Sequence, residues 1–319
     1  MGFFLALVLA LGVGFLAGAI VGNSWRRGLI AKKIQGQLAF SWLQVARIVL
    51  TTSRPWPRPF VRIPAFHPVA TCEAPTEVLW RTPVGLYWGR WDELWALKFL
   101  FDEFYVRHIY ERDPVAVRAG DIVVDAGANI GLFTRLALDR GARTVIAFEP
   151  EPGNAACLKA SFQRELQSGQ VILVEAALWE LTTRLQFSLP LTGDHFMGSV
   201  VIDASADKIW VPAITLDEAL AQLQVERVDF IKMDLGGAQR EALAGATHTL
   251  AVDRPRMAIA TQHFWSDRQV ISKTVRRIQP GYQVVMGAVT LYCHCEPVHS
   301  EQRKESAEAP TRSASDLPG

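Results

Sequence analysis

The chain reads as an α/β protein: a mostly parallel sheet with helices on both faces, closed by an antiparallel hairpin and carried behind an N-terminal transmembrane helix. Three observations predict this. From residue 119 onward, short apolar runs alternate with helical patterns, the order expected of parallel strands buried on both faces. Near the end, residues 283–294 form two strand-like runs with no helix between them, a closing hairpin. Residues 2–22 are an uncharged apolar run of 21 residues; as a helix it spans roughly 31 Å, close to the thickness of the hydrocarbon layer.

Positive charges follow that run instead of preceding it, which argues for an anchor over a cleaved leader. By the positive-inside rule Arg26, Arg27, Lys32 and Lys33 lie in the cytoplasm, which predicts a single-pass protein of the inner or cell membrane with a cytoplasmic body. Gly14, Gly18 and Gly22 recur every four residues, a spacing that fits close helix approach in a homodimer and equally fits a lone anchor. Residues 1–24 are thus the anchor, and residues 25–68 a basic helix followed by a linker stiffened by Pro55, Pro57, Pro59, Pro64 and Pro68. No acidic residue occurs before Glu73, where eight basic ones do; the remainder carries 25 basic against 32 acidic residues. A basic arm on a mildly acidic body suits a membrane, and nothing in the body suggests a nucleic-acid surface.

Residues 69–118 form an aromatic-rich cap, with a hairpin at 77–87 and a helix at 92–110; its Trp80, Trp88, Trp91, Trp95, Phe99, Phe101, Phe104 and Tyr105 either pack on the sheet or line a pocket. Residues 119–298 are the main domain. Its strands are expected at 122–125, 144–148, 171–175, 228–233 and 257–261, and Thr215-Leu-Asp-Glu218 has the form of a capping box. Residues 299–319, rich in Ser, Glu, Ala and Pro, are expected to be disordered. Four cysteines show no disulfide-framework spacing, and Cys293-His294-Cys295 lacks a second ligand pair, so no metal is expected.

The main domain is organised around residues 121–134, DIVVDAGANIGLFT, and Glu149 fifteen residues on. Strand, small-residue turn and helix put a carboxylate beside Gly127, Ala128, Asn129 and Gly131 at the C-terminal edge of the sheet, where such sheets bind ligands. A carboxylate there can accept both hydroxyls of a ribose. A dinucleotide fingerprint needs Gly where Asn129 stands, which disfavours a nicotinamide oxidoreductase.

Together with AFEPEP at 147–152, EAAL at 175–178, TLDEAL at 215–220, DFIKMDLGGAQREALAGA at 229–246 and PRMAIATQH at 255–263, this stretch resembles the FkbM family of S-adenosylmethionine-dependent methyltransferases over residues 75–295. The resemblance implies a Rossmann-like class I methyltransferase sheet with S-adenosylmethionine as cofactor. Asp125, Gly127, Asn129 and Gly131 would hold its methionine part, Glu149 its ribose, and Glu175 with Ala176 would flank its adenine. The acceptor it implies is a hydroxyl of a glycan or secondary metabolite; the anchor adds a lipid-linked substrate. One departure matters: the family usually carries Asp-Val-Glu-Gly-Ala-Glu where this chain has Asp234-Leu-Gly236-Gly-Ala-Gln239.

Methyl transfer to oxygen needs alignment, exclusion of water and a base for the acceptor proton. Asp234 is the expected base, with Lys232 on the same side of its strand, His263 in reserve and His195 on a loop as a third candidate. The competing reading, motivated by Gly236 and Gln239, is a methyltransferase-fold scaffold at the membrane with weakened or no turnover.

Overall fold

The computed structural model describes residues 66–71, 77–90, 94–189, 199–201, 208–264 and 266–296. The anchor with Gly14, Gly18 and Gly22, the basic segment to residue 65, Trp91, His195 and the tail lie outside them. Among the described residues no helix is long and apolar enough to cross a membrane.

The cap opens with a three-stranded antiparallel sheet, β1 (His67–Thr71), β2 (Glu77–Thr82) and β3 (Gly85–Arg90). β1 begins two residues ahead of the expected start of the cap at 69. Helix α1 (Leu94–Phe101) then widens into a π-helical turn, Asp102–Val106, where the sequence suggested one helix through residue 110. The cap aromatics pack: Trp80, Tyr87, Phe101 and Phe104 are buried in one core with Phe133 and Phe162. Trp88 N–H also donates to Ser161 Oγ at 2.8 Å, tying β3 to the main domain.

The main domain runs β4 (Ile122–Ala126), α2 (Leu132–Asp139), β5 (Thr144–Phe148), α3 (Pro152–Ser161), α4 (Gln163–Ser168) and β6 (Val171–Val174). It continues through a small sheet of β7 (Ala177–Leu178), β8 (Thr183–Ser188) and β9 (Lys208–Ile214) to α5 (Leu216–Gln222), β10 (Phe230–Met233), α6 (Gln239–Ala244) and α7 (Thr247–Val252). β11 (Arg256–Ala260), α8 (Asp267–Ile278), β12 (Tyr282–Met286) and β13 (Thr290–Cys295) complete it.

Seven strands form the main sheet in the order β12-β13-β11-β10-β4-β5-β6. β6, β5, β4, β10 and β11 are mutually parallel, and the β12–β13 hairpin joins antiparallel through β13. Both faces are covered, so alternate residues feed two cores: Val123 packs with the cap and α2, Val124 with α5 to α8. Each fully buried Val, Ile or Phe contributes about 1.5–3 kcal/mol, which is why these strands read as apolar runs.

Local sequence sets the helix ends. Glu151 caps α3 by accepting from Gly153 N and Asn154 N, with Pro152 at the first position, and Thr215 Oγ1 caps α5 by accepting from Glu218 N. Gly141, at φ +89, stops α2. β4 is followed by β5 on one side and neighbours β10 on the other, so the chain order reverses between β4 and β10. That reversal opens the ligand-binding crevice of such sheets.

Candidate active site

Everything the sequence singled out within the described residues collects at this C-terminal edge. The turn after β4 takes three positive φ angles in five residues: Gly127 (+82), Asn129 (+52) and Gly131 (+94). Packing is what demands glycine at two of them. A Cβ on Gly127 would stand 2.0 Å from the backbone oxygen of Asp234, and one on Gly131 2.4 Å from the Phe162 ring. The turn is therefore small because β4 and β10 touch there and α2 leans on Phe162, a different reason from room for a ligand.

Its amides point inward. Gly127 N and Ala128 N donate to Phe148 O, Gly131 N donates to Ala128 O, and Asn129 N donates to Glu149 Oε2 at 2.8 Å. These four N–H groups hold the protein together, leaving none of them to cradle a pyrophosphate.

Beneath the turn lies a buried ion pair. Lys232 Nζ, on β10, donates to Gly127 O at 2.7 Å and to Asp125 Oδ1 at 3.1 Å, with Ala126 O at 3.5 Å; Asp125 Oδ2 accepts from Thr134 Oγ1 at 2.8 Å. The two side chains are 3% and 0% exposed. Asp125 and Lys232 thus brace the turn from below; the family resemblance implies a cofactor contact for Asp125, and the sequence put Lys232 among the candidate catalytic residues beside Asp234.

Glu149 follows β5 and is buried, accepting from Asn129 N and from Glu151 N at 2.9 Å. Burial pushes its carboxyl up to about 7, against the backbone N–H groups of Glu151 and Asn129 that pull it down. The Asn154 side chain is a third donor, and since a carboxylate has about four acceptor positions, roughly one remains for a hydroxyl. Glu175, after β6, is half exposed and pairs with Lys159 Nζ at 2.5 Å, while Ala176 beside it is buried.

On the β10 side Asp234 has two partners. Tyr110 donates its hydroxyl to Oδ2 at 2.7 Å, and His263 Nε2 lies 3.1 Å from Oδ1. Asp234 and His263 remain partly open, at 22% and 18% exposure. Burial pushes the Asp234 carboxyl up, but His263, the Lys232 charge and the Tyr110 hydroxyl outweigh it and hold the group below the usual carboxylate range. Burial, followed by the Asp234 charge, drives the Tyr110 phenol well above its ordinary value, so it stays a donor.

Tyr110 and Glu103 are the residues sequence reasoning missed. Glu103 lies on the π-helical turn, buried, and accepts from Arg107 Nη2 at 3.2 Å; burial and the Asp234 charge raise its carboxyl to about 7. Tyr110 packs between the Phe104 and Phe133 rings, with Lys232 Nζ 5.7 Å from its centroid. The π-helical turn carries Glu103 into the core, and such turns often mark functional sites. His263 is placed by the loop after β11, which Arg240 clamps through Ser266 Oγ and Asp267 Oδ1, both at 2.7 Å. Gln239, where the family usually has a carboxylate, is fully buried, and neither end of its amide has a hydrogen-bond partner among the described residues.

Several known proteins are similar to this chain. Over 176 residues the chain is 28% identical to the 31-O-demethyl-FK506 methyltransferase FkbM of Streptomyces tacrolimicus, covering 46% of this chain and 68% of that one. It is 24% identical over 184 residues to the AMB antimetabolite synthetase AmbE of Pseudomonas aeruginosa, spanning 9% of that much longer protein. The crystal structure of methyltransferase FkbM from Methylobacillus flagellatus KT aligns with a TM-score of 0.45 at 18% identity, over 65% of this chain and 56% of that chain. The Methyltransferase FkbM domain model matches residues 125–286, half of the chain, from the buried aspartate of β4 to the end of β12. The chain belongs to the FkbM methyltransferase family.

Proposed function

We propose that the protein transfers a methyl group from S-adenosylmethionine to a hydroxyl oxygen of a glycan, a lipid-linked intermediate or another small-molecule acceptor. The observation that carries this reading is the pairing of two features at one sheet edge: a turn whose N–H groups face inward, and carboxylates on either side of it. Such a donor set suits a cofactor with a ribose and a positive sulfonium but no phosphate, and it opposes a nicotinamide dinucleotide. When bound, the cofactor supplies an electrophilic methyl group. Asn129 and Gly131 would line its methionine part, Glu149 would accept from a ribose hydroxyl, and Glu175 with Ala176 would flank the base. Asp125 and Lys232 hold the turn that shapes this side. Asp234 and His263 take up the acceptor proton on the other.

The apolar run at 2–22 and its basic flank support a place on the cytoplasmic face of a membrane. The decisive measurement is calorimetric titration of the full chain in detergent with S-adenosylmethionine and with NADH, beside Glu149→Ala. Binding of S-adenosylmethionine alone, weakened by about tenfold or more in the variant, is the expected result; NADH binding would sink the reading. Methyl-tritiated cofactor and a panel of hydroxyl acceptors then identify the product.

A scaffold without turnover is the second reading, favoured by the unpartnered amide of Gln239. It predicts that Gly236→Glu with Gln239→Glu awakens a silent parent. A parent that already turns over removes it.

A further inference from the structure

We propose that His263 is the group that receives the acceptor proton, through Nδ1, and that Asp234 and Tyr110 are positioning residues that fix its ring. This rests on the methyl-transfer reading above and divides the roles within its acid–base pair.

The geometry assigns the roles. Asp234 is engaged at both oxygens, Oδ2 by the Tyr110 hydroxyl and Oδ1 by His263 Nε2. A carboxylate so engaged accepts Nε2–H, and the lone pair of the ring then sits on Nδ1, which has no hydrogen-bond partner among the described residues. The same logic orients the imidazole in hydrolytic triads, where the carboxylate steers the ring and does not itself take the proton. Asp234 is also a weak base, because the groups around it keep its carboxyl below the usual range. In the step, the acceptor O–H proton passes to Nδ1 as the oxygen lone pair forms the bond to the methyl carbon. The methyl–sulfur bond breaks with its electron pair left on sulfur, and Asp234 balances the imidazolium until water removes the proton.

Tyr110 makes this orientation a property of the cap. It lies 15 residues before the stretch matched by the family domain, yet its hydroxyl reaches across 124 residues of sequence to Asp234. Its backbone is fixed in turn: Tyr292 donates its hydroxyl to Ile109 O at 2.7 Å, and Ile109 N donates to Glu103 O. The charged or titratable groups around Asp234 are therefore Tyr110 and Glu103 from the cap, Lys232 and Asp125 from the sheet, and His263 from the β11 loop.

The test needs no acceptor. In the full chain carrying nitrogen-15 histidine, with His263→Gln for assignment, the proton should sit on Nε2 and exchange slowly with water. Asp234→Asn should speed that exchange on the order of tenfold, and Tyr110→Phe about fivefold, the equivalent of one ordinary hydrogen bond. Tyr110→Phe should also move the Asp234 carboxyl titration, read by carbon-13, to higher pH. If Tyr110→Phe does not fold, 3,5-difluorotyrosine incorporation gives a stronger donor with nearly the same packing, and the Asp234 titration should then move down. A proton on Nδ1, with bare Nε2 facing a protonated Asp234, overturns the assignment to His263. An unchanged exchange rate and titration in a folded Tyr110→Phe overturns the role of Tyr110. Calorimetry with S-adenosylmethionine on the same samples keeps the two readings apart: absent binding removes methyl transfer, while the ring measurement still decides the pair.

Discussion

The two halves of the crevice are built on different principles. On the β4–β5 side backbone N–H groups converge on one carboxylate, Asn129 N reaching Glu149 across 20 residues and Glu151 N across 2, with Lys232 bracing the turn from below. On the β10–β11 side the groups that face the acceptor meet through side chains alone, Tyr110 with Asp234 over 124 residues and His263 with Asp234 over 29. The first side is a motif that any chain with this turn must carry. The second depends on how the cap is laid over the sheet.

The two sides are in closest approach where Gly127 meets Asp234, and crowding that point should have the largest effect. A methyl group on Gly127 would meet the Asp234 carbonyl at 2.0 Å, in a backbone region that already disfavours a side chain. Gly127→Ala should therefore cost about 4–5 kcal/mol, at the upper end of single substitutions. A urea unfolding curve measures this. Retention of wild-type stability would mean that the turn can shift away from the Asp234 carbonyl without cost.

Lys232→Met comes next. It removes the cation from beneath the turn and leaves Asp125 fully buried without its charge partner, which should cost about 3–4 kcal/mol. Adding Asp125→Asn should restore part of the loss, because the uncompensated charge is then gone. A double-mutant cycle that shows simple additivity would refute the idea that Lys232 acts on the turn through Asp125.

The residues legible in the sequence divide along the same line. Strands β4, β5, β10 and β11, the turn and Glu149 were legible because their signals are apolar runs, small residues and a fixed offset along the chain. Asp234 and His263 were legible as strand-end residues but not as partners, since nothing local pairs positions 29 apart. The buried contact of Lys232 with Asp125 was not legible, because it joins parallel neighbouring strands 107 residues apart in sequence. Tyr110 was invisible, one aromatic residue in a cap full of them, until the cap was seen against the sheet.

A third effect compares the sides by pH. Glu149 on one and Glu103 on the other are both pushed up to about 7, chiefly by burial. A carboxyl whose pKa is raised on folding binds its proton more tightly in the folded state, so stability falls as pH rises from about 4.5 to 7. The free protein should therefore lose about 2–3 kcal/mol per group across that window. Glu103→Gln should remove roughly half of the slope, and Glu103→Gln with Glu149→Gln most of it. Asp234 is depressed instead, so its contribution is lost only at more acid pH, as its carboxyl is protonated. A stability profile that is flat between pH 5 and 7.5 would contradict this assignment of both buried carboxyls.

The smallest effect is the most pointed. Asn129→Gly writes a dinucleotide-like glycine into the turn and relieves a positive φ of 52°, a change of about 0.5–1 kcal/mol in favour of the fold, offset by the added freedom of the unfolded chain. Net stability should stay within about 0.5 kcal/mol, yet NADH should still fail to bind when followed by its fluorescence. The glycine changes the side chain but not the destination of the amides: Gly127 N and Ala128 N still face Phe148, and the amide at 129 still faces Glu149, whose carboxylate would repel a phosphate. Gain of NADH binding from this one substitution would show that bulk at position 129, not the inward direction of the turn, selects the cofactor.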